Sequence, residues 1–320
     1  IILHLDFNSY FASVEQQANP FLRGLPIAVA GKAKINDLHR TVITTASREA
    51  KRMGVKTAMA SFKALEKCPE LQIIPGDPQK YSEITARFLA ILRRHCDAVE
   101  QFSTDEAFAD ITTASGGDYF GAALLAQMIR SDVARECGHY CTASIGIAPH
   151  KLIAKLAGES LKPNGLTVVR PEEVKAFVLS RELEDICGIG PRIAEHLGRL
   201  GITSMSSLLK APLSLLRREF KSYGDFLYAT ARGQGDSKVC NTEAPPKSVG
   251  HSYTFAHNLD TGNEIRRNLL ALCDKVAYRL RRDGFIATHI SAFARYPDFG
   301  GSGGSHKIDE PINDGLDLFK

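Results

Sequence analysis

The sequence predicts an α+β multidomain protein, and three observations carry that expectation. An apolar strand ending on a carboxylate, Ile1 to Asp6, is matched far downstream by helix, hairpin, helix and strand between Asp77 and Ala148. A Gly-x-Gly-Pro turn, Gly188 to Pro191, opens a new helix. A polar stretch ending in Pro245-Pro246 precedes a last segment that reads strand, helix, strand. The first pattern suits a ferredoxin-like layout of antiparallel strands backed by two helices, the second a helix-hairpin-helix, the third a separate α/β domain.

With 320 residues the chain exceeds one simple core, so roughly two to four domains are expected. A formal charge of +4 is mild, and any nucleic-acid contact must rest on local basic patches. Seven cysteines without paired metal-ligand spacing argue for free thiols in a reducing compartment. The one close pair, Cys137 and Cys141, reads as buried small apolar residues rather than a metal corner. The sequence has no signal peptide and no membrane span, and its opening inside a strand-like run suggests a trimmed natural beginning.

Each element has a local reason. After the strand to Asp6, Asn8 or Ser9 caps a helix that Asn19-Pro20 ends. Pro26 to Ala30 is a strand, Gly31 to Arg40 a polar loop, and Thr41 to Thr44 another strand. A short helix to Met53, stopped by Gly54, puts Arg48 and Lys51 on one face. That pair is either a solvated face or a phosphate-binding one, and both readings stand at this point. Ser61 to Cys68 and Asp77 to His95 are helical, with a strand at Leu71 to Ile74 between them. Ala98 to Phe102 and Glu106 to Ile111 are strands, followed by a helix to Cys137 and a strand from Thr142 to Ala148. Gly158 to Gly165 marks a boundary. Leu183 to Asp185 is a helix end before the Gly188-Ile189-Gly190 turn, whose backbone N–H groups and following helix dipole suit a phosphate. Beyond the linker, Ser252 to Phe255 is a strand, Asn263 to Arg282 a basic helix and Thr288 to Arg295 a strand. Gly300 to Ser305 reads as a mobile hairpin tip or an engineered joint.

The chemistry concentrates at Asp105-Glu106, between two strand-forming runs, with Asp6 upstream. Neighbours on a regular strand point to opposite faces, so both acids serve one centre only if the chain bends between them. Crowded carboxylates repel unless a divalent cation neutralises them, which points to a magnesium site; a solvated acidic turn is the bland alternative.

With these pieces placed, the chain resembles a Y-family, translesion DNA polymerase of the DinB or polymerase kappa branch. The resemblance is carried by Asp6 to Glu15, Val42 to Ala46, Ser103 to Phe108, Lys151 to Lys155, Lys162 to Gly165, Gly188 to Gly190 and Lys247 to Gly250. It implies a right-hand polymerase: a ferredoxin-like palm (1–18 and 76–164), small fingers (19–75), a helix-hairpin-helix thumb (165–232), a linker (233–246) and an α/β little finger (247–320), incomplete at Lys320. It further implies that Asp6, Asp105 and Glu106, with the Phe7 carbonyl, hold two Mg2+ ions, for which Mn2+ substitutes. Phe11 falls at the steric gate that excludes ribonucleotides. Tyr10, Phe11, Thr45, Arg48, Lys51 and Lys155 fall at nucleotide-contacting positions, and Gly188, Gly190, Arg192 and Lys247 would contact DNA. The implied partners are primer–template DNA, deoxynucleoside triphosphates and a sliding clamp, and the implied form a cytoplasmic or nucleoid-associated monomer of low fidelity without proofreading.

Three departures from the family pattern stand out. Asn8 replaces a common third Asp, Arg48 and Lys51 replace a Tyr and an Arg, and the last domain stops early. Leu316 to Phe319 resembles a clamp-docking peptide with Gly315 for the leading Gln, but a helix start capped by Asn313 or Asp314 is preferred. Two competing functions are a template-free nucleotidyl cyclase and an inactive DNA-binding relative that recruits other polymerases.

Overall fold

A computed structural model describes residues 1–31, 41–242, 245–255, 257–296, 298 and 300–320. The polar loop expected at 31–40 lies, from residue 32 on, outside the described residues. The chain divides near residue 243 into two units.

In the first unit, β1 (Ile2–Phe7) is buried along its whole length, its apolar Ile2, Leu3, Leu5 and Phe7 joined by the polar His4 and Asp6. Ser9, in the left-handed region at φ 53°, turns the chain into α1 (Tyr10–Ala18) but makes no side-chain cap. The strands β2 (Ile27–Ala30), β3 (Ile43–Ala46) and, after α2 (Arg48–Arg52) and α3 (Ser61–Lys67), β4 (Gln72–Pro75) form a small sheet ordered β3-β2-β4. Its own core joins Ala28, Ile43, Ala50, Val55, Ala64 and Leu71. Next come α4 (Pro78–His95), capped by Asp77, then β5 (Ala98–Gln101), β6 (Glu106–Asp110), α5 (Tyr119–Cys137), capped by Asp118, β7 (Ala143–Ala148), α6 (Lys151–Ser160) and β8 (Leu166–Val168).

Those strands make one sheet ordered β5-β6-β1-β7-β8. On one side Leu3, Leu5 and Phe7 pack with Phe88, Ile91, Leu92, Ile129 and both Cys137 and Cys141, as the cysteine reading expects. On the other, Ile2, Phe108 and Ala148 share a core with α6 and with the helices that follow. The approach of α6 is close: a Cβ on Gly146 would stand 2.0 Å from the Ala154 carbonyl oxygen. The strand β8 corrects the expected boundary at 165, because its pairing with β7 extends the sheet to Val168.

The following helices are α7 (Val174–Leu179), α8 (Pro191–Arg199), α9 (Met205–Lys210), α10 (Leu213–Phe220) and α11 (Tyr223–Ala231). Before the glycine turn the chain makes only a 3-10 turn, Leu183–Asp185, rather than an α-helix. The segment after α11, expected to be an exposed linker, is strapped down over its first half. Val99 on the edge strand β5 donates to Asn241 Oδ1 (2.7 Å), Cys240 N–H donates to Glu100 (2.9 Å), and Lys151 N–H donates to the Asp236 carbonyl (3.0 Å). An edge strand needs such partners, which composition alone does not reveal.

His150 Nε2–H donates to the Gly233 carbonyl (2.7 Å) under this strap. Burial pulls its pKa below the usual 6.5, with the Gly233 bond opposing. A folded-state pKa below the unfolded one means stability is full above the unfolded value and is lost as pH falls through it. Urea unfolding midpoints should therefore drop between about pH 7.5 and about pH 5.5. His150→Gln, which keeps a donor without titrating, should lose less; an equal loss would exclude His150 as a source.

The second unit holds α12 (Gly262–Arg282), capped by Thr261, then β9 (Ala287–Arg295), β10 (Gly301–Ile312) and α13 (Gly315–Phe319). Ala277, Leu280 and Leu318 form its small core. Two expectations are corrected here. Residues 252–255 form no strand. Gly301 to Ser305 pair with Arg295 to Ser291, because backbone hydrogen bonds do not need the side chains this stretch lacks. The helix start at 315 is as expected, with Asp314 accepting from Leu316 N–H (2.8 Å).

Candidate active site

Register brings the acids together. In the antiparallel pair β1–β6, Asp6 stands directly opposite Glu106, so their side chains share one face at roughly 4.5–5.5 Å between Cβ atoms. The bend expected at the hairpin is present at residues 103–105. It places Asp105 opposite Phe7, whose N–H donates to the Asp105 carbonyl (3.0 Å). The Asp105 carboxylate accepts from Ser103 Oγ (2.7 Å) and is near enough to Asp6 to act on its pKa, but it lies outside the tight group that Asp6 and Glu106 share. The ring of Phe7 is buried against Phe88, at 5.0 Å between centroids, so only its backbone is available to the cleft.

Two lysines meet these acids. Lys155 donates to Glu106 Oε2, and Lys162 donates to Asp6 Oδ1 (2.9 Å) and Glu159 Oε1 (2.8 Å). Lys162 was not among the residues singled out from sequence. Lys162-Pro163-Asn164 marks a boundary and carries part of the resemblance, but neither points to Asp6 as its partner. His4, fully buried on β1, was also missed, because a lone His in an apolar strand resembles core. Its Nε2 meets Glu106 Oε2 at 3.0 Å while Nδ1 has no partner, which is the arrangement of a neutral ring holding the carboxylate from below. Burial keeps its pKa below the usual value despite Glu106.

The two facing carboxylates are held unequally. Burial pushes Asp6 up to about 6; Lys162 opposes this, while Glu159 and Asp105 add to it. Burial would also raise Glu106, but His4 and Lys155 outweigh it and bring Glu106 to about 2. Ligand atoms of His4, Asp6 and Glu106 lie within 4.8 Å of one another. Asp6 and Glu106 offer carboxylate oxygens, the donors that hard divalent cations prefer, and Asp105 at the adjoining bend carries a third carboxylate, so the residue types fit such a group.

The positions expected to contact nucleotide divide. Phe11 is half-buried on α1 and stacks on Tyr81 at 4.4 Å, and Tyr81 is fixed by a bond to Glu15 Oε1 (2.8 Å). Arg48 donates to Thr142 Oγ1 and Lys51 to Ser9 Oγ (2.8 Å), so both cations reach the loop and strand beside Asp6 rather than bare solvent. Thr45 is half-buried on β3. Tyr10 corrects the expectation for its side chain, which is buried, with its hydroxyl on the Tyr81 carbonyl (2.8 Å) and Thr85 Oγ1 (2.9 Å). Only its backbone N–H, in the first turn of α1, can serve an anion. Asn8 is buried and bonded to Thr142 and Ser144, consistent with its exclusion from the metal set.

At the helix-hairpin-helix, Gly188 has φ +104°, and a Cβ there would stand 2.5 Å from Tyr223 Oη. Gly190 caps α8, and a Cβ there would meet nothing within 4 Å, so the approach to this helix start is uncrowded, as a phosphate contact needs. Arg192 is exposed beside it, and Lys247 is exposed in the second unit. On α12 the basic stripe is partly committed: Arg279 and Arg281 donate to the Gly250 (2.6 Å) and Asn313 (2.8 Å) carbonyls.

A sheet with paired acids at one strand end, a phosphate-suited helical hairpin and a basic α/β unit together define a nucleic-acid polymerase. Residues 5–159 match the impB/mucB/samB family and residues 246–320 its C-terminal domain. DNA polymerase IV of Shewanella halifaxensis is 35% identical over 312 residues, covering 97% of this chain and 85% of that protein. DNA polymerase IV of Streptococcus suis is 33% identical over 298 residues, covering 93% and 82%. Among solved structures, a Y-family Dbh–Dpo4 polymerase chimera superposes with a TM-score of 0.89 at 27% identity, over 99% of this chain and 90% of that one. DinB from Sulfolobus solfataricus gives 0.70 at 26%, with the same coverage. The chain belongs to the impB/mucB/samB family, the Y-family DNA polymerases, with their palm, fingers, thumb and little finger.

Proposed function

We propose that this chain, a translesion DNA polymerase, adds deoxynucleotides to a primer 3′-hydroxyl opposite a template through Asp6, Asp105 and Glu106. The observation that carries this is the register of Asp6 opposite Glu106, with an ammonium on each. When bound by these acids and the Phe7 carbonyl, two Mg2+ ions, or Mn2+ in their place, would lower the pKa of the primer hydroxyl and neutralise the leaving pyrophosphate. The protein's own part is positional. Lys155 and Lys162 leave the carboxylates for phosphate oxygens as the nucleotide enters, while Arg48, Lys51, Thr45 and the Tyr10 N–H line its path. Phe11, backed by Tyr81, closes the space a ribose 2′-hydroxyl would need. Gly188, Gly190, Arg192 and Lys247 hold backbone phosphates of the primer–template.

The protein would act as a monomer with low fidelity, without proofreading, in the cytoplasm or on the nucleoid, with a sliding clamp as partner. Among the described residues no helix is long and apolar enough to cross a membrane. Leu318 is buried on α13, which supports reading Leu316–Phe319 as a helix start rather than a clamp-docking peptide. Labelled-primer extension past an abasic template base tests the function. Templated products at normal positions and products beyond the lesion are expected, and template-independent addition would overturn it. Primer–template affinity should fall on the order of a hundredfold between 50 and 200 mM salt. A flat salt response would exclude phosphate contacts as its source.

A further inference from the structure

Two of the chain's departures from its family, Asn8 and Arg48, are far apart in sequence but meet on one hydroxyl. Thr142 immediately precedes β7 and faces the residue that follows β1. Asn8 N–H donates to its carbonyl (2.8 Å), Asn8 Nδ2 donates to that same carbonyl (3.0 Å), and Nδ2 also reaches Thr142 Oγ1 (3.2 Å). On the other side Ser144 Oγ–H donates to Asn8 Oδ1 (3.0 Å). A backbone carbonyl can only accept, so the carboxamide has a single workable orientation, nitrogen toward Thr142. Thr142 Oγ1 then accepts from Asn8 and from the Arg48 guanidinium. Two donors fill its two lone pairs and fix where Arg48 can sit.

This arrangement has an electrostatic consequence. Among the described residues Arg48 has no carboxylate partner; its hydrogen bond is to a neutral hydroxyl. Its charge is therefore held in place without being neutralised, on a hydroxyl shared with Asn8, which lies two residues along the chain from Asp6. A carboxylate at position 8 would reverse this. It would set an anionic oxygen against the Thr142 carbonyl and put a negative charge within reach of the guanidinium that shares its hydroxyl partner.

We propose that Thr142, oriented by Asn8, is a positioning residue that presents the Arg48 guanidinium to the triphosphate of the incoming nucleotide. The neutral side chain at position 8 is what leaves that charge available. The inference rests on Arg48 acting as a triphosphate contact, and the experiment separates the two.

Thr142→Val removes the hydroxyl, keeps a β-branched side chain and leaves the Asn8 bond to the backbone carbonyl. Single-nucleotide insertion gives kcat and KM, and equilibrium nucleotide binding to the enzyme on a dideoxy-terminated primer–template gives affinity without chemistry. Arg48→Ala should raise KM about tenfold with kcat nearly unchanged, and Thr142→Val about threefold to fivefold in the same sense. The double variant should be no worse than Arg48→Ala alone. Thr142→Ser should restore wild-type values. Asn8→Asp should raise KM about as much as Arg48→Ala and add nothing in its presence.

If Arg48→Ala leaves both KM and affinity unchanged, the assignment of Arg48 to the triphosphate fails. If Arg48→Ala acts but Thr142→Val does not, or their effects multiply, Thr142 does not work through Arg48 and the inference is overturned. Should Thr142→Val melt far below the wild type, the Asn8→Asp and Arg48→Ala pair decides: multiplying effects there overturn the proposal equally.

Discussion

Asp105→Ala should reduce primer extension by about a thousandfold or more while primer–template affinity stays within about threefold. Asp105 is the cleanest of the three acids to remove. Among the described residues its half-exposed carboxylate is tied only to Ser103, so its loss uncovers no buried partner there. Glu106→Ala would strand the buried His4 ring and the Lys155 ammonium, and any loss of activity would mix chemistry with repacking. The removed charge also raises Asp6, so the variant should lower the Asp6 pKa from about 6 and leave the fold intact. Extension rates, anisotropy binding and a melting curve measured together check this. A parallel loss of DNA binding would place Asp105 in the DNA interface instead.

Phe11→Ala should raise ribonucleotide insertion relative to deoxynucleotide insertion by about a hundredfold, the scale on which a shaped apolar wall rejects one hydroxyl. One face of the Phe11 ring is covered by Tyr81, and Tyr81 is tied to Glu15, which also binds Lys80 at 2.7 Å. The wall behind the gate thus survives loss of the gate, and the change should appear in sugar choice with little change in deoxynucleotide turnover. Competition between the two sugars on one template base measures it. Unchanged discrimination would mean that the 2′-hydroxyl is read by another residue.

Much of this site was legible because it is written locally. An apolar run ending on Asp6, two acids at a strand-flanked bend and Asp or Thr residues ahead of α4, α5, α12 and α13 each have a cause within a few residues. What escaped depends on pairings across the chain. Lys162 meets Asp6 across 156 positions, and Asn241 caps the β5 edge across 142. His4 carries no local sign of function, and its role appears only once β6 sets Glu106 against it. The opposite error has the same root: residues 252–255 look like a strand but pair with none among the described residues, whereas Gly301 to Ser305 look like no strand and do pair. Tyr10 was assigned by position alone, and burial of its ring leaves only its backbone for the role.

The central claim is that Asp6, Asp105 and Glu106 form one two-cation centre. Counting Mn2+ bound by the complex of protein, dideoxy-terminated primer–template and matching nucleotide, by electron paramagnetic resonance titration, tests it without any turnover. The account predicts two tightly held ions beyond those bound by DNA and nucleotide in buffer, and fewer in Asp6→Asn and Asp105→Asn. The same count in wild type and both variants would contradict it.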